Sequence, residues 1–224
     1  MAAPLAGVRR VLAVVAHPDD ESFGLGGVLD HLVRGGAEVS LLCFTHGEAS
    51  TLHGRPGELA IIRAAELQAA AGVLALAHTR LLDYPDGGLA GIAVAELATK
   101  VRDFAAEVRP THLVAFDRGG VTGHPDHVQA TEAALAAAAA LDLPVIGWAV
   151  PYAVTQALNA ELGTAFVGRR DHELGWSIQV DRTRQWAAIA AHASQSTGNA
   201  VLLRRLQLSG HTERLRMLAK GRES

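Results

Sequence analysis

The residues best suited to chemistry lie in two short sequences that both contain His-Pro-Asp. One runs from His17 to Glu21 as His-Pro-Asp-Asp-Glu, and the other runs from His124 to His127 as His-Pro-Asp-His. Only 11 of the 224 residues are histidine and 8 are proline, so chance would rarely repeat this tripeptide. Because imidazole and carboxylate groups are good zinc ligands, these sequences predict a metal site.

A metal site of this kind can activate water. A catalytic zinc site keeps three protein ligands and one open position, and it lowers the pKa of a bound water from 15.7 to about 7. A carboxylate that is not a ligand can then accept the proton, which contributes roughly 10²–10⁴-fold to the rate. The two sequences hold more than enough groups for the ligands, a base and an acid. Proline after the first histidine of each stiffens the turn that presents them.

The elements that must position these residues alternate between strand and helix. Aliphatic and β-branched runs predict two buried strands, at Val8–Val15 and Val39–Phe44. A short third strand is expected at Arg80–Leu82, and two more at Thr111–Phe116 and Pro144–Val150. Helical spacing predicts four helices between and after them, at Val28–Val33, Glu58–Ala71, Val94–Val108 and His127–Leu141. This order predicts a Rossmann-like α/β fold, with a mostly parallel sheet of about five strands and helices on both faces.

The last third of the chain predicts a small C-terminal β/α extension. Its expected strands are Phe166–Val167 and Trp176–Val180, and its expected closing helices are Gln185–His192 and Leu202–Leu218. We expect a single domain over residues 1–224, because the sequence contains neither a repeat nor a linker-like segment.

Both His-Pro-Asp sequences fall where such a fold places its functional sites. Open α/β sheets bind ligands beyond the carboxyl ends of their strands, where the strand order reverses. The first sequence directly follows the first predicted strand, and the second shortly follows the fourth. These two strands are neighbours in a doubly wound sheet, so we expect the two sequences to meet.

The two sequences together resemble the LmbE-like (PIG-L) family of zinc-dependent N-acetylglucosaminide de-N-acetylases. The specific part is Ala16–Glu21 with Gly26-Gly27, followed by His124–His127. Weaker agreement over residues 8–196 comes from Thr45–Glu48, Arg63 and Glu66, Tyr84–Gly87, and His192–Gln195. The resemblance implies hydrolysis of the acyl amide of an N-acetylglucosamine-type sugar or glycoconjugate, which would be the small-molecule partner.

The resemblance also implies roles for individual residues. His17, Asp20 and His127 would be the ligands of Zn²⁺, with another divalent metal such as Fe²⁺ left open. Asp19 would be the general base, His124 as imidazolium would stabilise the oxyanion, and Asp126 would orient His124 and support its charge. Arg63 and Asp86 would bind sugar hydroxyl groups.

Four of the residues also have ordinary structural interpretations. Asp126 could cap the N-terminus of the following helix, alone or in addition to its other role. Arg63 could be a helix-surface arginine, and Asp86 could form the turn before Gly87-Gly88. For His192, a buried core histidine is the favoured interpretation.

Thr122 departs from the family pattern. Several relatives have a tyrosine two residues before the histidine of the second sequence, where it is proposed to assist the oxyanion. Threonine is too short to reach as a phenol does. Three outcomes stay open: His124 and zinc suffice, Tyr84 or Tyr152 substitutes from elsewhere, or the activity is reduced.

Three other classes of protein compete with a deacetylase. An iron(II) oxygenase would also use two histidines and a carboxylate, but it usually has a β-sandwich barrel. A nucleotide-binding module would use Gly24–Gly27, but Leu29 stands where the last fingerprint glycine belongs. A non-catalytic or altered-specificity relative would keep the metal site, although every expected catalytic position is filled here.

The composition limits the partners. Hydrophobic residues make up 49% and charged residues 19%, and the net charge is -3, so the chain is globular and has no strong field for nucleic acid or an anionic membrane. The apolar run before His17 is too short for a signal-peptide core, and Cys43 is the only cysteine, so we expect a cytoplasmic protein. The basic residues after Val201 are expected on a solvated helix face. A homo-oligomer stays open.

Overall fold

A seven-stranded mixed sheet organises the part of the chain that the computed structural model describes, which is residues 5, 7–51 and 58–221. The strands are β1 (Arg10–Val15), β2 (Glu38–Thr45), β3 (His78–Tyr84), β4 (His112–Phe116), β5 (Val145–Ala149), β6 (Trp176–Gln179) and β7 (Thr212–Ala219). The α-helices are α1 (Asp20–Phe23), α2 (Gly26–Arg34), α3 (Leu59–Val73), α4 (Val94–Val108), α5 (Pro125–Leu141), α6 (Tyr152–Leu162), α7 (Thr183–Ala191), α8 (Ala193–Ser196) and α9 (Ala200–Ser209). None of these helices is both long and apolar enough to cross a membrane.

The strand order is β3-β2-β1-β4-β5-β7-β6, and the first five strands run parallel. This confirms the expected Rossmann-like α/β fold. Strand β1 lies between β2 and β4, so the carboxyl ends of β1 and β4 are adjacent. The chain reverses its direction of strand addition at this point, which is where open α/β sheets form a crevice.

Alternation along β1 builds a core on each face of the sheet. Val11, Ala13 and Val15 pack in one apolar cluster with residues of α2, whereas Leu12 and Val14 pack in another with residues of α4 and α5. Successive side chains of a strand point to opposite faces, so a strand covered on both sides needs a continuous apolar run. The alanines of α5 have small side chains that let this helix approach α4 and β4 closely.

The C-terminal region differs from the sequence-based expectation. The sheet has seven strands rather than about five, because β7 pairs antiparallel with β5 and β6 pairs antiparallel with β7. The expected helix Leu202–Leu218 is wrong, because α9 ends at Ser209 and Gly210 (φ 55°) turns the chain into β7. Alternate residues of β7, Glu213 and Leu215, are buried, which is the period of a strand.

Two further expectations for this region are wrong. Phe166–Val167 forms no strand, and α6 was not foreseen at all. The basic residues after Val201 do not all lie on a solvated face, because the Arg205 side chain is buried while Arg204 is partly exposed. Val167 still makes one backbone bond, to the Val121 carbonyl at 2.7 Å, which holds this extended segment over the second His-Pro-Asp loop.

Candidate metal centre

The turn after β1 presents the first group of side chains. His17 lies just beyond the end of β1, after Ala16, and Asp20 begins α1. The Asp20 carboxylate Oδ2 accepts hydrogen bonds from the backbone N–H groups of Ala16 at 3.2 Å and His17 at 2.9 Å. Asp19 stands between them with φ 118°, a conformation that is strained for a residue with a side chain. The turn therefore holds Asp20 beside His17 and directs Asp19 separately.

The loop after β4 presents the second group. His124 is the N-cap of α5, Pro125 is the first helical residue, and His127 lies in the first turn. His124 Nδ1 accepts the backbone N–H of Asp126 at 3.2 Å. The interpretation of Asp126 as the N-cap is therefore wrong, because His124 occupies that position. Proline suits the first helical position, where its missing N–H costs nothing.

Side-chain atoms of three residues from the two loops converge. His17 Nδ1 lies 3.0 Å from His127 Nε2, His127 Nε2 lies 3.1 Å from Asp20 Oδ1, and His17 Nδ1 lies 3.7 Å from Asp20 Oδ2. All three residues are buried. Ligands at about 2.0–2.1 Å from one tetrahedral ion are about 3.3 Å apart, so these separations fit a shared metal such as zinc.

Acidic groups surround His17 on its other side. His17 Nε2 lies 3.0 Å from Asp86 Oδ1 and 3.3 Å from Asp126 Oδ2. Burial alone would lower the pKa of His17, but the hydrogen bonds to Asp126 and Asp86 and the charge of Asp20 raise it to about 10. The cluster of His17, Asp20, Asp86 and Asp126 carries more negative than positive charge, which favours binding of a cation. A carboxylate partner on the distal nitrogen is also how proteins orient metal-binding histidines.

Thr122 contacts a predicted ligand. Its Oγ1 lies 2.8 Å from His127 Nδ1, which also lies 3.1 Å from the Gly120 carbonyl oxygen. Because a carbonyl can only accept, Nδ1 carries a proton, and Nε2 is the ring nitrogen that faces His17 and Asp20. Neither tyrosine takes the place of the family phenol in the described cavity lining: Tyr84 donates to Glu96 at 2.9 Å, and the surface of Tyr152 is 44% exposed.

Arg63 holds the carboxylate of Asp19. Its Nη2 donates to Asp19 Oδ2 at 3.0 Å and to the Pro18 carbonyl, and its Nη1 donates to the Gly47 carbonyl at 2.6 Å. Arg63 is only 3% exposed, so the interpretation as a surface arginine is wrong. A Cβ at Gly47 would lie 2.3 Å from Arg63 Cζ, so only glycine leaves room for this guanidinium.

Burial raises the pKa of Asp19 to about 6, with a further contribution from the Asp20 charge, while Arg63 opposes the rise. A general base works best when its pKa lies near the working pH, so this environment suits a carboxylate that accepts a proton. Asp20, by contrast, has its pKa held well below the ordinary range: burial would raise it, but the His127 charge and hydrogen bond lower it. The two adjacent carboxylates therefore differ in pKa: that of Asp19 is raised and that of Asp20 is lowered.

Asp126 and His124 interact differently from the expectation. The Asp126 carboxylate accepts the backbone N–H groups of Gly87 at 2.8 Å and Leu89 at 3.1 Å, and it contacts the His17 ring rather than that of His124. Burial lowers the pKa of His124, and His17 and His127 add to this effect. With Nδ1 accepting a backbone N–H, His124 is a neutral imidazole with its proton on Nε2. The structure therefore does not support the expected imidazolium.

Glu21 and His192 form a buried pair that sequence reasoning did not assign. Both are fully buried, and Glu21 Oε1 lies 2.6 Å from His192 Nε2. Burial would raise the pKa of Glu21 and lower that of His192, but each charge reverses the effect on the other, so the pair is ionic. Glu21 Oε2 also accepts the backbone N–H of Asp19 at 3.0 Å, which holds the strained turn.

The sequence contained only weak indications that Glu21 and His192 belong to the site. Glu21 lies inside the first His-Pro-Asp sequence, and His192 opens the weakly family-like run His192–Gln195. The favoured interpretation of His192 as a buried histidine agrees with its full burial. Its ionic partner lies 171 residues earlier in the chain, which local pattern cannot reveal.

The residues of the candidate metal centre border a cavity of about 730 Å³. Among the sequence-predicted site residues, those that line it are His17, Asp19, Asp20, Arg63, Asp86, His124 and His127. Asp126 does not appear in the lining and lies behind His17. The remaining wall is largely apolar and includes Phe116, Trp148 and Phe166.

Comparison with known proteins identifies the class to which this fold and site belong. The family described as PIG-L, GlcNAc-PI de-N-acetylase, matches residues 12–138, which is more than half of the 224 residues. The chain therefore belongs to the PIG-L family, as the two His-Pro-Asp sequences suggested.

Individual relatives agree. A protein of Kineococcus radiotolerans named 1D-myo-inositol 2-acetamido-2-deoxy-alpha-D-glucopyranoside deacetylase is 35% identical over 182 residues, which cover 66% of this chain and 50% of that protein. A protein of the same name from Nakamurella multipartita is 33% identical over 83% of this chain and 79% of its own length. This chain thus spans about half the length of the first relative and more of the second.

A solved structure shares the fold. The N,N'-diacetylchitobiose deacetylase from Pyrococcus horikoshii superimposes with a TM-score of 0.71 at 20% sequence identity, covering 96% of this chain and 85% of that chain. At this identity the similarity concerns the fold alone. Because 96% of this chain is covered, the similarity extends beyond β5 into the C-terminal region.

The Glu21–His192 pair generates a prediction for stability. Breaking a buried ion pair leaves one uncompensated charge, so Glu21→Gln and His192→Gln should each lower the free energy of unfolding by about 3–5 kcal/mol. The double variant should lose clearly less than the sum, as measured by urea denaturation. The same cycle on the solvated pair Arg204 and Glu161 should show no measurable coupling. Additive losses at Glu21 and His192 would contradict the ionic pair.

Proposed function

We propose that this protein is a metal-dependent hydrolase that removes the acetyl, or another acyl, group from the amide nitrogen of an N-acetylglucosamine-type sugar or glycoconjugate. The observation that carries the proposal is the convergence of His17 Nδ1, Asp20 and His127 Nε2 within 3.0 to 3.7 Å at the wall of the cavity. We assign these three residues as ligands of Zn²⁺, with Fe²⁺ as the other metal to be tested.

The ion would polarise the acyl carbonyl and lower the pKa of the attacking water. Asp19 accepts the proton of that water on its carboxylate and can return it to the departing amine. The Arg63 bond keeps this carboxylate in place, and the Glu21 bond to the Asp19 backbone keeps the turn in its strained form. A neutral His124 donates its Nε2–H to the oxygen on which negative charge develops, as an oxyanion-hole donor does.

Several further residues hold the proposed metal ligands in position. Asp126 and Asp86 hold the His17 ring so that Nδ1 faces the other ligands. Thr122 and the Gly120 carbonyl hold His127 in the same way. Thr122 therefore serves the metal site in this proposal, and His124 acts on the oxyanion without a neighbouring phenol. Of the three outcomes left open for Thr122, we propose the first, in which His124 and the metal suffice.

Arg63 and Asp86 remain the candidates for binding sugar hydroxyl groups. Both line the cavity on the side of the ligand residues, which supports this role. Their polar atoms also hold Asp19 and His17, so each would combine positioning with substrate contact. Replacing either would then affect kcat as well as KM.

The relatives support the substrate class. The curated proteins reported above are named as deacetylases of an N-acetylglucosamine derivative, and the solved structure is named as a chitobiose deacetylase. We extend these names to this chain as a proposal, and we also propose a single domain and a cytoplasmic location. A buried, unpaired Cys43 fits a reducing compartment. The presence of Asp19 and His124 at the cavity favours an active enzyme over a non-catalytic relative.

Acetate release tests the proposal. Purified protein incubated with a panel of N-acetylglucosaminides should release acetate from at least one of them. Treatment with a chelator should abolish release, because the water and carbonyl lose their activation, and addition of Zn²⁺ should restore it. Activity that survives complete metal removal, shown by elemental analysis, would contradict the metal-dependent reaction.

The Asp19→Asn variant distinguishes the role of a general base from that of a metal ligand. It should reduce kcat by roughly 10²–10⁴-fold, because the amide cannot accept the proton, while the metal content stays at the wild-type level. Asp20→Asn should instead lose the metal together with the activity. The matched control Asp103→Asn, on the exposed face of α4, should change neither quantity. Full activity in Asp19→Asn would remove Asp19 from the mechanism.

A further inference from the structure

A second charged group lines the same cavity, away from the proposed metal ligands. Arg205 lies in the second turn of α9 and is only 3% exposed. Its Nη2 donates to the Phe23 carbonyl, but its Nη1 has no hydrogen-bond partner among the described residues. A buried charged donor without a partner is unfavourable unless a ligand satisfies it.

The carboxylate beside Arg205, that of Glu213, already accepts hydrogen bonds from other residues. Glu213 accepts the Nη1 of Arg182 at 2.6 Å and the indole N–H of Trp148 at 2.7 Å. Arg205 Nη1 lies 4.0 Å from Glu213, which is too far for a hydrogen bond. Two buried arginines therefore share one carboxylate and leave one positive charge. Burial lowers the pKa of Arg205 to about 10, so it stays charged at neutral pH.

A wall of aromatic rings leads from the proposed metal ligands to Arg205. The Phe116 ring lies 4.9 Å from that of His127, and the Trp148 ring lies 5.0 Å from that of Phe116. The Arg205 guanidinium lies 5.2 Å from the Trp148 ring. Flat apolar surfaces of this kind suit a sugar or aromatic ring, so a substrate along this wall would bring its remote end to Arg205.

The other polar groups near this end are satisfied within the protein. Asn199 accepts the backbone N–H of Leu202 at 2.9 Å and donates to the Gln195 carbonyl at 3.1 Å. Gln195 accepts the Ser50 hydroxyl at 2.7 Å. Among the described lining residues, the acids are Asp19, Asp20 and Asp86, and these belong to the metal end. The first turn of α9 also lines the cavity and adds partial positive charge.

We propose that Arg205 forms a subsite for a carboxylate on the part of the substrate remote from the reacting amide. The proposal rests on the proposed deacetylation and narrows its substrates to acid-bearing N-acetylglucosamine conjugates. A guanidinium presents its N–H groups in a planar fork that matches a carboxylate. Occupation of the subsite would pair the surplus positive charge of Arg205.

A matched pair of substrates tests this subsite. The pair is the 4-carboxyphenyl and the 4-carbamoylphenyl glycoside of N-acetylglucosamine, which have similar shape and differ by one charge. In the wild-type protein kcat/KM should be at least about tenfold higher for the carboxylate, since a charge-assisted bond is roughly twice as strong as a neutral one. Arg205→Gln should remove this preference.

Arg204→Gln is the matched control, because the adjacent arginine on α9 pairs with Glu161 and does not appear in the cavity lining. It should keep the wild-type preference. Equal kcat/KM for the two glycosides in wild-type protein would overturn the subsite, even if Arg205→Gln fails to fold. In that case deacetylation itself would stand.

Failure of the reaction is distinguishable from failure of the subsite. If neither glycoside is hydrolysed, the corresponding amines, which cannot be deacetylated, serve as ligands in calorimetry. Binding of the carboxyphenyl amine at least about tenfold more tightly than the carbamoylphenyl amine, lost in Arg205→Gln, would support the subsite without the proposed reaction. Equal binding would overturn it.

Discussion

The structure depends above all on buried negative charge at the carboxyl edge of the parallel sheet. Asp20, Asp86 and Asp126 lie around the His17 ring, and His127 Nε2 approaches the same point from the second loop. Like charges crowded in a low-dielectric environment are unfavourable unless a cation offsets them. A divalent metal between His17, Asp20 and His127 would supply that cation. The protonated His17 is the charge that offsets them within the chain itself.

The rest of the fold serves this arrangement. The order β2-β1-β4 makes two loops that are more than one hundred residues apart in the chain meet at one point. The strained turn at Asp19 would relax without its supports, which are the Arg63 contact with the side chain and the Glu21 contact with the backbone. His192 in turn neutralises Glu21, so α7 and the start of α8 contribute to the site although they lie outside the parallel sheet. The C-terminal region thereby does more than close the core.

Much of this could be predicted from the sequence, because β1, β2, β4 and β5 are largely apolar and the two His-Pro-Asp sequences follow β1 and β4. What escaped prediction depends on distant partners. Apolar residues in Leu202–Leu218 fit a helix over their first half, and only pairing with β5 and β6 makes the second half a strand. The burial of Arg63 and Arg205 was invisible for the same reason: Arg63 meets Asp19 across 44 residues, and Arg205 meets the Phe23 carbonyl across 182.

Anomalous diffraction at the zinc absorption edge tests the central claim most directly, because it locates the ion without reference to activity. Crystals of the protein prepared with one equivalent of Zn²⁺ should show one strong peak at about 2.0–2.2 Å from His17 Nδ1, His127 Nε2 and a carboxylate oxygen of Asp20. The His17 ring should keep its contacts with Asp86 and Asp126. A peak bound elsewhere, with His17 still paired only with carboxylates, would contradict the account.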